Sequence, residues 1–502
     1  MTPITLSTSR RLPWAAEYDW LVLPILLASV NALVWTVFAA MGGSTALHQD
    51  SLEAYMWGRE FEFGYYKHPP FWAWVAGSWF HIFPRTNWAF YLLSEGNASL
   101  GVLGTWALLG RFTKGPERLA GTLLLLLTTF YTFNAFRFNA NTIQLSLWPW
   151  TMYFFVISLE KKTVSSGVVF GILAGFALLS KYYAALLLCS CLFAALIHRD
   201  RRAYFRSPAP WIAVLVCGLA VTPHLIWVVQ HQFQPFLYAL GKKSSPDARF
   251  GDTLIGFFVF CALYHVLQLA VVAAVKLTER VRGESAPPLP PIKHGLPFLA
   301  ILALAPLALT LLAGVVGYRV TPLYVVPIFS LTPFLLLILV GANATRVVRA
   351  TAVIYGVIVA GSLLIAPFLP ALGLRMGGSI PPYQEISERA ANVWKDTTSA
   401  PVHIVAGTWP YSEAMAFYVP GNVSEFTSFN FAWAPWISED RIKRQGLLAV
   451  CLESDETCRA KALRFQTAGT RIVESVVSAS RGQPDSAAAL RFTIIATPPE
   501  PR

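Results

Sequence analysis

The chain has 502 residues, of which 55% are hydrophobic and only 13% are charged, and its mean hydropathy is +0.51. Soluble domains contain about 25% charged residues, so this composition excludes an ordinary soluble protein and indicates a chain that resides in lipid. The net charge of +12 does not indicate nucleic-acid binding, because the basic residues lie in short clusters between apolar segments and form no continuous face.

Eleven apolar segments have the length and composition of membrane spans, some of them short or broken. The first is too long for the apolar part of a signal peptide, which indicates a retained signal anchor. The fifth and sixth are short and meet at residues 180–183, so they are either two tilted spans or one broken helix. The segments are 20–41, 88–110, 119–134, 142–159, 167–179, 182–197, 211–231, 254–277, 296–316, 322–341 and 350–370.

The basic residues between these segments predict the orientation of the chain by the positive-inside rule. With the N-terminus in the cytoplasm, the segments on that side contain seventeen lysines and arginines, and the opposite loops contain nine. The loop 42–87 and the C-terminal region then lie outside the cytoplasm. For a bacterial cell this predicts a multi-pass inner-membrane protein with a periplasmic C-terminal domain.

The composition changes at about Gly377, where charged residues return and the apolar runs shorten. We therefore predict a transmembrane domain, 1–376, and a small extracytoplasmic α/β domain, 377–502. Cys451 and Cys458 lie in the second domain, and outside the cytoplasm they can either form a disulfide or remain thiols. The segments with the pattern of strands are 402–406, 447–452 and 492–496.

The first extracytoplasmic loop carries the residues with the clearest chemistry. Asp50 and Glu53 are three residues apart, so they share one face of a helix, and the aromatic residues that follow suit a helix in the membrane interface. In the segment 64–70, two prolines predict a rigid turn that holds Lys67 and His68 in place. A carboxylate here can act as a general base while cations neutralise a leaving phosphate. Alternatively, the two acids only cap or solvate the helix.

Three further basic residues are candidates for a phosphate or sugar pocket. Lys181 lies between two apolar segments, where an ionisable group is costly and often faces a cavity. Arg137 and Arg319 fall on the outer side of the predicted membrane region. Each of the three can equally extend to the membrane surface and pair with a lipid headgroup.

Two sequence motifs, one that contains Asp50 and Glu53 and one that spans residues 64–70, resemble those of the bacterial GT-C glycosyltransferases of family 39, which include protein O-mannosyltransferases and aminoarabinose transferases. The resemblance implies an all-α polytopic membrane protein of the GT-C type, with about eleven transmembrane helices and a small C-terminal extracytoplasmic α/β domain. It also implies an inverting transfer of a sugar from a polyprenyl-phosphate carrier to an envelope acceptor such as lipid A, a polysaccharide, another lipid or a protein. The motifs are Asp50-x-x-Glu53-Ala54-Tyr55-x-Trp57 and Gly64-Tyr65-Tyr66-Lys67-His68-Pro69-Pro70.

The same resemblance implies roles for the candidate residues. Many relatives have adjacent Asp and Glu, whereas Leu52 precedes Glu53 here, so Asp50 takes the place of the catalytic aspartate and Glu53 supports it or replaces it. A lipid monophosphate leaving group does not oblige the enzyme to hold a divalent cation, so no cofactor is expected, and a metal is allowed but not required. The residues implied to bind the donor phosphate or sugar are Lys67, His68, Arg137, Lys181 and Arg319.

Two other functions also account for a multi-span chain with buried charges. A transporter or flippase of lipid-linked sugars is expected to have broken helices in two related halves, and no such repeat is evident. A non-catalytic envelope assembly protein could keep the scaffold after losing the adjacent acidic pair.

Overall fold

The computed structural model describes residues 13–42, 46–241, 250–284, 291–315, 325–372, 380–478 and 489–500. Up to residue 372 the described chain is helical, and the C-terminal part combines helices with one sheet. The helices of the first part are α1 (Pro13–Gly42), α2 (Gln49–Gly58), α3 (Phe71–Ile82), α4 (Asn87–Leu109), α5 (Pro116–Leu125), α6 (Gln144–Lys161), α7 (Val164–Ser180), α8 (Ala185–Ile197), α9 (Arg201–Arg206), α10 (Ala209–Gln230), α11 (Gln234–Gly241), α12 (Phe250–Val281), α13 (Leu296–Val315), α14 (Thr332–Val340) and α15 (Ala344–Ile365).

The helices of the first part include several that suit a bilayer. Because they are both long and apolar, the chain is a membrane protein. In the described part of the chain, five segments are long and apolar enough to cross a membrane: Val22–Gly42, Ala209–Gln230, Ile255–Val281, Leu296–Val315 and Ala344–Phe368.

Other predicted spans form helices that are shorter or less apolar than those five. The segment 119–134 is not one span, because α5 ends at Leu125 and a 3₁₀ turn follows at Thr129–Tyr131. The fifth and sixth segments are two helices, since the backbone of Lys181 is extended (φ −162°, ψ 132°) and ends α7. The break places Lys181 between two helices, where its side chain reaches Asn141.

Helices α7 and α10 pack closely through small residues. A side chain on Gly167 or Gly171 would meet the backbone of α10, since an added Cβ would lie 2.4 Å from Ala209 O and 2.6 Å from Ala213 O. Small residues four apart allow two helix backbones to approach each other where no hydrophobic effect drives association. This contact fixes the position of α7, and therefore of Lys181 at its end.

The C-terminal part has a five-stranded sheet in the order β2-β1-β3-β5-β4, which confirms the predicted small α/β unit. Strand β1 pairs parallel with β2 and with β3, and β5 pairs antiparallel with β3 and with β4. Cys451 and Cys458 form a disulfide. The proposed boundary at 376/377 lies outside the described residues. The elements are α16 (Tyr383–Thr397), β1 (Ile404–Gly407), α17 (Tyr411–Tyr418), β2 (Ser424–Glu425), α18 (Glu439–Gln445), β3 (Leu447–Leu452), α19 (Glu456–Leu463), β4 (Arg471–Ser478) and β5 (Ala489–Thr497).

Helix α17 joins the C-terminal part to α2 and to the start of α4. The Tyr418 hydroxyl accepts a hydrogen bond from Leu47 N at 2.8 Å and donates one to Asn87 Oδ1 at 2.9 Å. The Tyr55 and Phe417 rings meet edge to face with centroids 5.0 Å apart. One apolar core therefore continues from α2 into the C-terminal sheet, and it positions the two parts on either side of a polar cavity.

Candidate active site

A polar cavity of about 300 Å³ lies between the segment from α2 to α3, the segment after α5, the α7–α8 break and the C-terminal part. It contains both predicted acids and three of the predicted donor-binding residues, Lys67, His68 and Lys181. Its lining residues are Gln49, Asp50, Glu53, Lys67, His68, Trp72, Asn139, Ala140, Asn141, Lys181, Tyr238, Trp409 and Glu413.

Helix α2 presents the two acids to this cavity. It begins after His48, whose Nδ1 accepts a hydrogen bond from Asp50 N at 3.2 Å and caps the helix. Residues Ser51–Gly58 are all buried inside the protein, whereas Phe61 and Phe63 of the predicted interfacial stretch are exposed. The aromatic residues of α2 pack against the turn at Tyr65 and Tyr66 and against the C-terminal part.

Asp50 is held from the opposite wall of the cavity. Asn139 Nδ2 donates a hydrogen bond to Asp50 Oδ2 at 2.9 Å. Asn139 itself is fixed, because its Oδ1 accepts hydrogen bonds from the backbone N–H groups of Asn141 (2.8 Å) and Thr142 (2.9 Å). The Asp50 side chain remains 37% exposed. This combination orients a carboxylate toward the cavity and leaves it accessible to a reacting molecule.

Glu53 and Lys67 form a buried ion pair beside Asp50. Lys67 Nζ donates a hydrogen bond to Glu53 Oε1 at 2.5 Å, and the two side chains are only 14% and 11% exposed. Burial alone would lower the pKa of Lys67, but the charge of Glu53, with smaller contributions from Tyr66 and Glu413, outweighs it and raises that pKa. Lys67 is therefore a fixed cation in the cavity wall.

The turn that carries Lys67 is rigid for more reasons than its two prolines. Tyr65 N donates a hydrogen bond to His68 O at 3.1 Å, and the Tyr65 hydroxyl donates to Trp57 O at 2.6 Å. The Tyr66 ring stacks on Trp433 of the C-terminal part, with centroids 4.3 Å apart and an interplanar angle of 2°. The turn is thus held between α2 and the C-terminal part, which the sequence pattern did not indicate.

The other predicted donor-binding residues have different surroundings. Lys181 Nζ donates a hydrogen bond to Asn141 Oδ1 in the cavity wall. Arg137 lies near Asp50 but not among the lining residues; burial lowers the pKa of its guanidinium, while Asp50 opposes this shift. The His68 ring meets the edges of Trp57 and Trp72. Arg319 lies outside the described residues.

The C-terminal part contributes a carboxyl group that sequence reasoning missed. Glu413, on α17, lines the cavity and is 2% exposed. Burial, reinforced by the negative charge of Glu53, raises the pKa of Glu413 well above its usual value. Trp409 also lines the cavity, with its ring centroid 5.9 Å from Lys67 Nζ. The cavity is thus closed by residues that are more than 340 positions from Asp50 in the chain.

Comparison with known proteins identifies the architecture. Residues 67–227 match the model of the dolichyl-phosphate-mannose-protein mannosyltransferase family. The crystal structure of ArnT from Cupriavidus metallidurans bound to undecaprenyl phosphate superposes with a TM-score of 0.61 at 15% identity, covering 95% of this chain and 98% of that chain. The chain has the GT-C glycosyltransferase fold. The same ArnT in the apo state gives a TM-score of 0.61 at 15% identity over 96% of this chain and 98% of that chain. A sequence comparison with curated proteins finds no match.

Within this GT-C fold, the residues matched to the family begin at Lys67 and include Arg137 and Lys181. The acids of α2 precede the matched region, so their place beside Lys67 is known from the structure and not from that match. No group of three or more His, Cys, Asp or Glu side chains in the described ranges is arranged to hold a metal ion.

Proposed function

We propose that the chain is an inverting glycosyltransferase that moves a sugar from a polyprenyl-phosphate carrier to an envelope acceptor on the outer face of the inner membrane. The observation that carries this proposal is the convergence of Asp50, Lys67 and Lys181 on one polar cavity of a GT-C fold. The ArnT structure with the same fold was solved with undecaprenyl phosphate, which supports a lipid phosphate as the carrier.

In the proposed reaction, the Asp50 carboxylate accepts the proton of an acceptor hydroxyl. The hydroxyl oxygen then attacks the anomeric carbon from the side opposite the phosphate, forming the new glycosidic bond as the bond from that carbon to the phosphate oxygen breaks. Inversion follows from this single displacement. The leaving group is the polyprenyl phosphate, and Lys67 and Lys181 neutralise the negative charge that develops on it.

The Glu53–Lys67 pair suits this role because the Glu53 carboxylate compensates the charge of the buried Lys67 ammonium. A phosphate that enters the cavity can share the Lys67 ammonium, which has three donor hydrogens. Glu53 then fixes Lys67, and it remains the alternative base if Asp50 only orients the acceptor. The proposal extends to His68, which lines the cavity, and to Arg137 and Arg319, each of which is proposed to assist binding of the phosphate or sugar.

The proposal includes a topology in which the N-terminus is cytoplasmic and the C-terminal domain, 377–502, is periplasmic. This orientation puts the cavity at the outer surface, where both a polyprenyl-linked sugar and an envelope acceptor are accessible. The excess of lysine and arginine residues in the segments predicted to be cytoplasmic supports this orientation.

Mass spectrometry of lipid A, envelope glycans and envelope proteins from a deletion strain tests the proposal. We expect one class of molecule to lose the mass of a single sugar and to regain it when the wild-type chain is supplied. The mass difference would identify the sugar, and the affected molecule would identify the acceptor. An unchanged envelope, combined with loss of lipid-linked sugar movement across vesicle membranes, would instead indicate a flippase.

A further inference from the structure

The segment Trp409–Glu413 forms a wall of the cavity that is firmly attached to the C-terminal sheet. It follows β1, where Thr408 N donates a hydrogen bond to Val450 O at 2.9 Å and Thr408 Oγ1 donates one to Asp455 Oδ2 at 2.8 Å. Tyr411 N then donates to Thr408 O at 2.8 Å and closes the turn into α17. The segment is therefore fixed before any ligand enters, as a recognition element requires.

Glu413 has an unused hydrogen-bonding atom in this wall. Its Oε2 is buried and has no hydrogen-bond partner in the part of the chain that the structure describes. Buried polar atoms are nearly always hydrogen-bonded, so an exception that lines a cavity points to a ligand group. Burial raises the pKa of Glu413, and the charge of Glu53 raises it further. A carboxyl group accepts hydrogen bonds from hydroxyl groups and in its protonated form also donates one, which suits a neutral polyol.

Trp409 supplies the complementary apolar surface. Its side chain is 51% exposed at the edge of the cavity, whereas most large aromatic side chains of the neighbouring core are buried. An indole face that is exposed beside a polar cavity can cover the C–H face of a sugar ring. Trp72 lines the cavity as well, and its buried Nε1 has no hydrogen-bond partner among the described residues.

The cations come from other elements than this wall, and Lys67 Nζ lies 5.9 Å from the Trp409 ring centroid, where the two parts of the cavity meet. Lys181 comes from the α7–α8 break, and Lys67 comes from the turn after α2, where it contacts Glu53. The cavity thus has a cationic part supplied by the membrane region and a part with an indole and a buried carboxyl group supplied by the C-terminal region. We propose that Trp409 and Glu413 form a subsite that binds the sugar ring of the donor, while the cations bind its phosphate. This inference rests on the proposed function.

The test compares two probes on the full chain in lipid nanodiscs. One is undecaprenyl phosphate, and the other is a panel of undecaprenyl-phosphate sugars carrying mannose, glucosamine, galacturonate or aminoarabinose. We expect the wild type to bind one sugar-bearing lipid more tightly than the bare lipid phosphate. Glu413→Ala should weaken that complex about tenfold and leave binding of bare undecaprenyl phosphate unchanged, since it removes one hydrogen-bonding group of the sugar subsite.

Two further variants separate recognition from folding. Glu413→Gln keeps the shape of the side chain and can both donate and accept hydrogen bonds, so it should restore most of the affinity. Trp409→Ala changes a half-exposed side chain, so it should preserve the thermal stability and still weaken the sugar-bearing complex. Glu453→Gln alters an exposed carboxylate elsewhere on the same domain (62% exposed) and serves as the control.

The outcomes distinguish this inference from the function on which it rests. If Glu413→Ala and Trp409→Ala still bind the sugar-bearing lipid more tightly than the bare lipid phosphate, as the wild type does, the sugar subsite is overturned. The proposed glycosyltransferase function is not affected by that result. Equal binding of all lipids by the wild type would also overturn the subsite. Failure of the wild type to bind any lipid phosphate would overturn the proposed function, and the subsite with it.

Discussion

Asn139 donates a hydrogen bond to Asp50 across the cavity, with Nδ2 and Oδ2 2.9 Å apart. The contact joins the helix that begins after His48 to the loop before α6, and these two elements are separated by nearly ninety residues in the chain. It gives the proposed base a fixed orientation, in the way that an orienting group supports a catalytic residue in other enzymes.

The first prediction concerns this orienting contact. Asn139→Asp should keep the acceptor for the N–H groups of Asn141 and Thr142, but it removes the donor to Asp50 and places a second carboxylate beside it. We expect the rate of sugar transfer to fall at least about tenfold at neutral pH, while binding of undecaprenyl phosphate changes little. Steady-state kinetics measure this: a loss confined to the apparent affinity for the donor would contradict the positioning role.

The second prediction concerns the buried cation. Lys67→Met removes the ammonium that donates to Glu53, and it should weaken binding of undecaprenyl phosphate about 10- to 100-fold, since a charge-assisted hydrogen bond is worth about 1.5–3 kcal/mol. The variant also leaves the Glu53 carboxylate without its ion partner, which lowers stability. The double variant Lys67→Met/Glu53→Gln should recover the melting temperature but not the affinity. Recovery of both would show that Lys67 is only structural.

The third prediction concerns pH and Glu425, whose side chain accepts a hydrogen bond from Thr427. Burial raises the pKa of Glu425 from 4.5 to about 7. A carboxyl with a raised pKa binds its proton more tightly in the folded state, so stability is highest below about pH 4.5 and falls as the pH rises to about 7. The loss is on the order of 3 kcal/mol at ~1.4 kcal/mol per pKa unit.

Glu425→Gln should remove this dependence. The melting temperature of the variant should exceed that of the wild type at pH 8, and the advantage should vanish or reverse at pH 5. The exposed control Glu453→Gln should follow the wild type at both values. Identical pH profiles for wild type and Glu425→Gln would mean that folding does not raise the pKa of Glu425.

The fourth prediction concerns the packing that fixes Lys181. Gly171→Leu, in α7, would place a Cβ 2.6 Å from Ala213 O, so the two helices must separate. We expect a lower melting temperature and, because the end of α7 moves, weaker binding of undecaprenyl phosphate. Gly218→Leu is the matched control in α10, since an added Cβ there meets no heavy atom within 4 Å. Equal effects of both variants would show that the close contact does not position the cavity.

The sequence predicts the part of the site whose residues lie close together in the chain. Asp50, Glu53 and Lys67 are close in the chain, and spacing together with the prolines predicts that they lie near each other. Glu413 is not predictable in this way, because a glutamate in a polar α/β domain has no pattern that distinguishes it from a solvated one. Only the tertiary contact of α17 with α2 brings Glu413 to the cavity.

The fold shows the same division. Hydropathy predicts the five strongly apolar spans and the strands β1, β3 and β5, because each has a long apolar run or a short buried one. It fails at 119–134, where the apolar run continues but the helix α5 ends at Leu125. It also misses the burial of α2, since aromatic residues in that helix suit a protein interior as well as a membrane interface.

The most direct test of the account is sugar transfer by Asp50→Asn in membranes supplied with labelled undecaprenyl-phosphate sugars and the native acceptor. Asparagine keeps the size of the side chain but cannot accept the proton, so we expect the rate to fall by about 10²–10⁴ while binding of the donor remains. Glu53→Gln, in the same assay, should have a smaller effect. Wild-type rates in both variants would contradict a carboxylate base on α2 and the proposed mechanism with it.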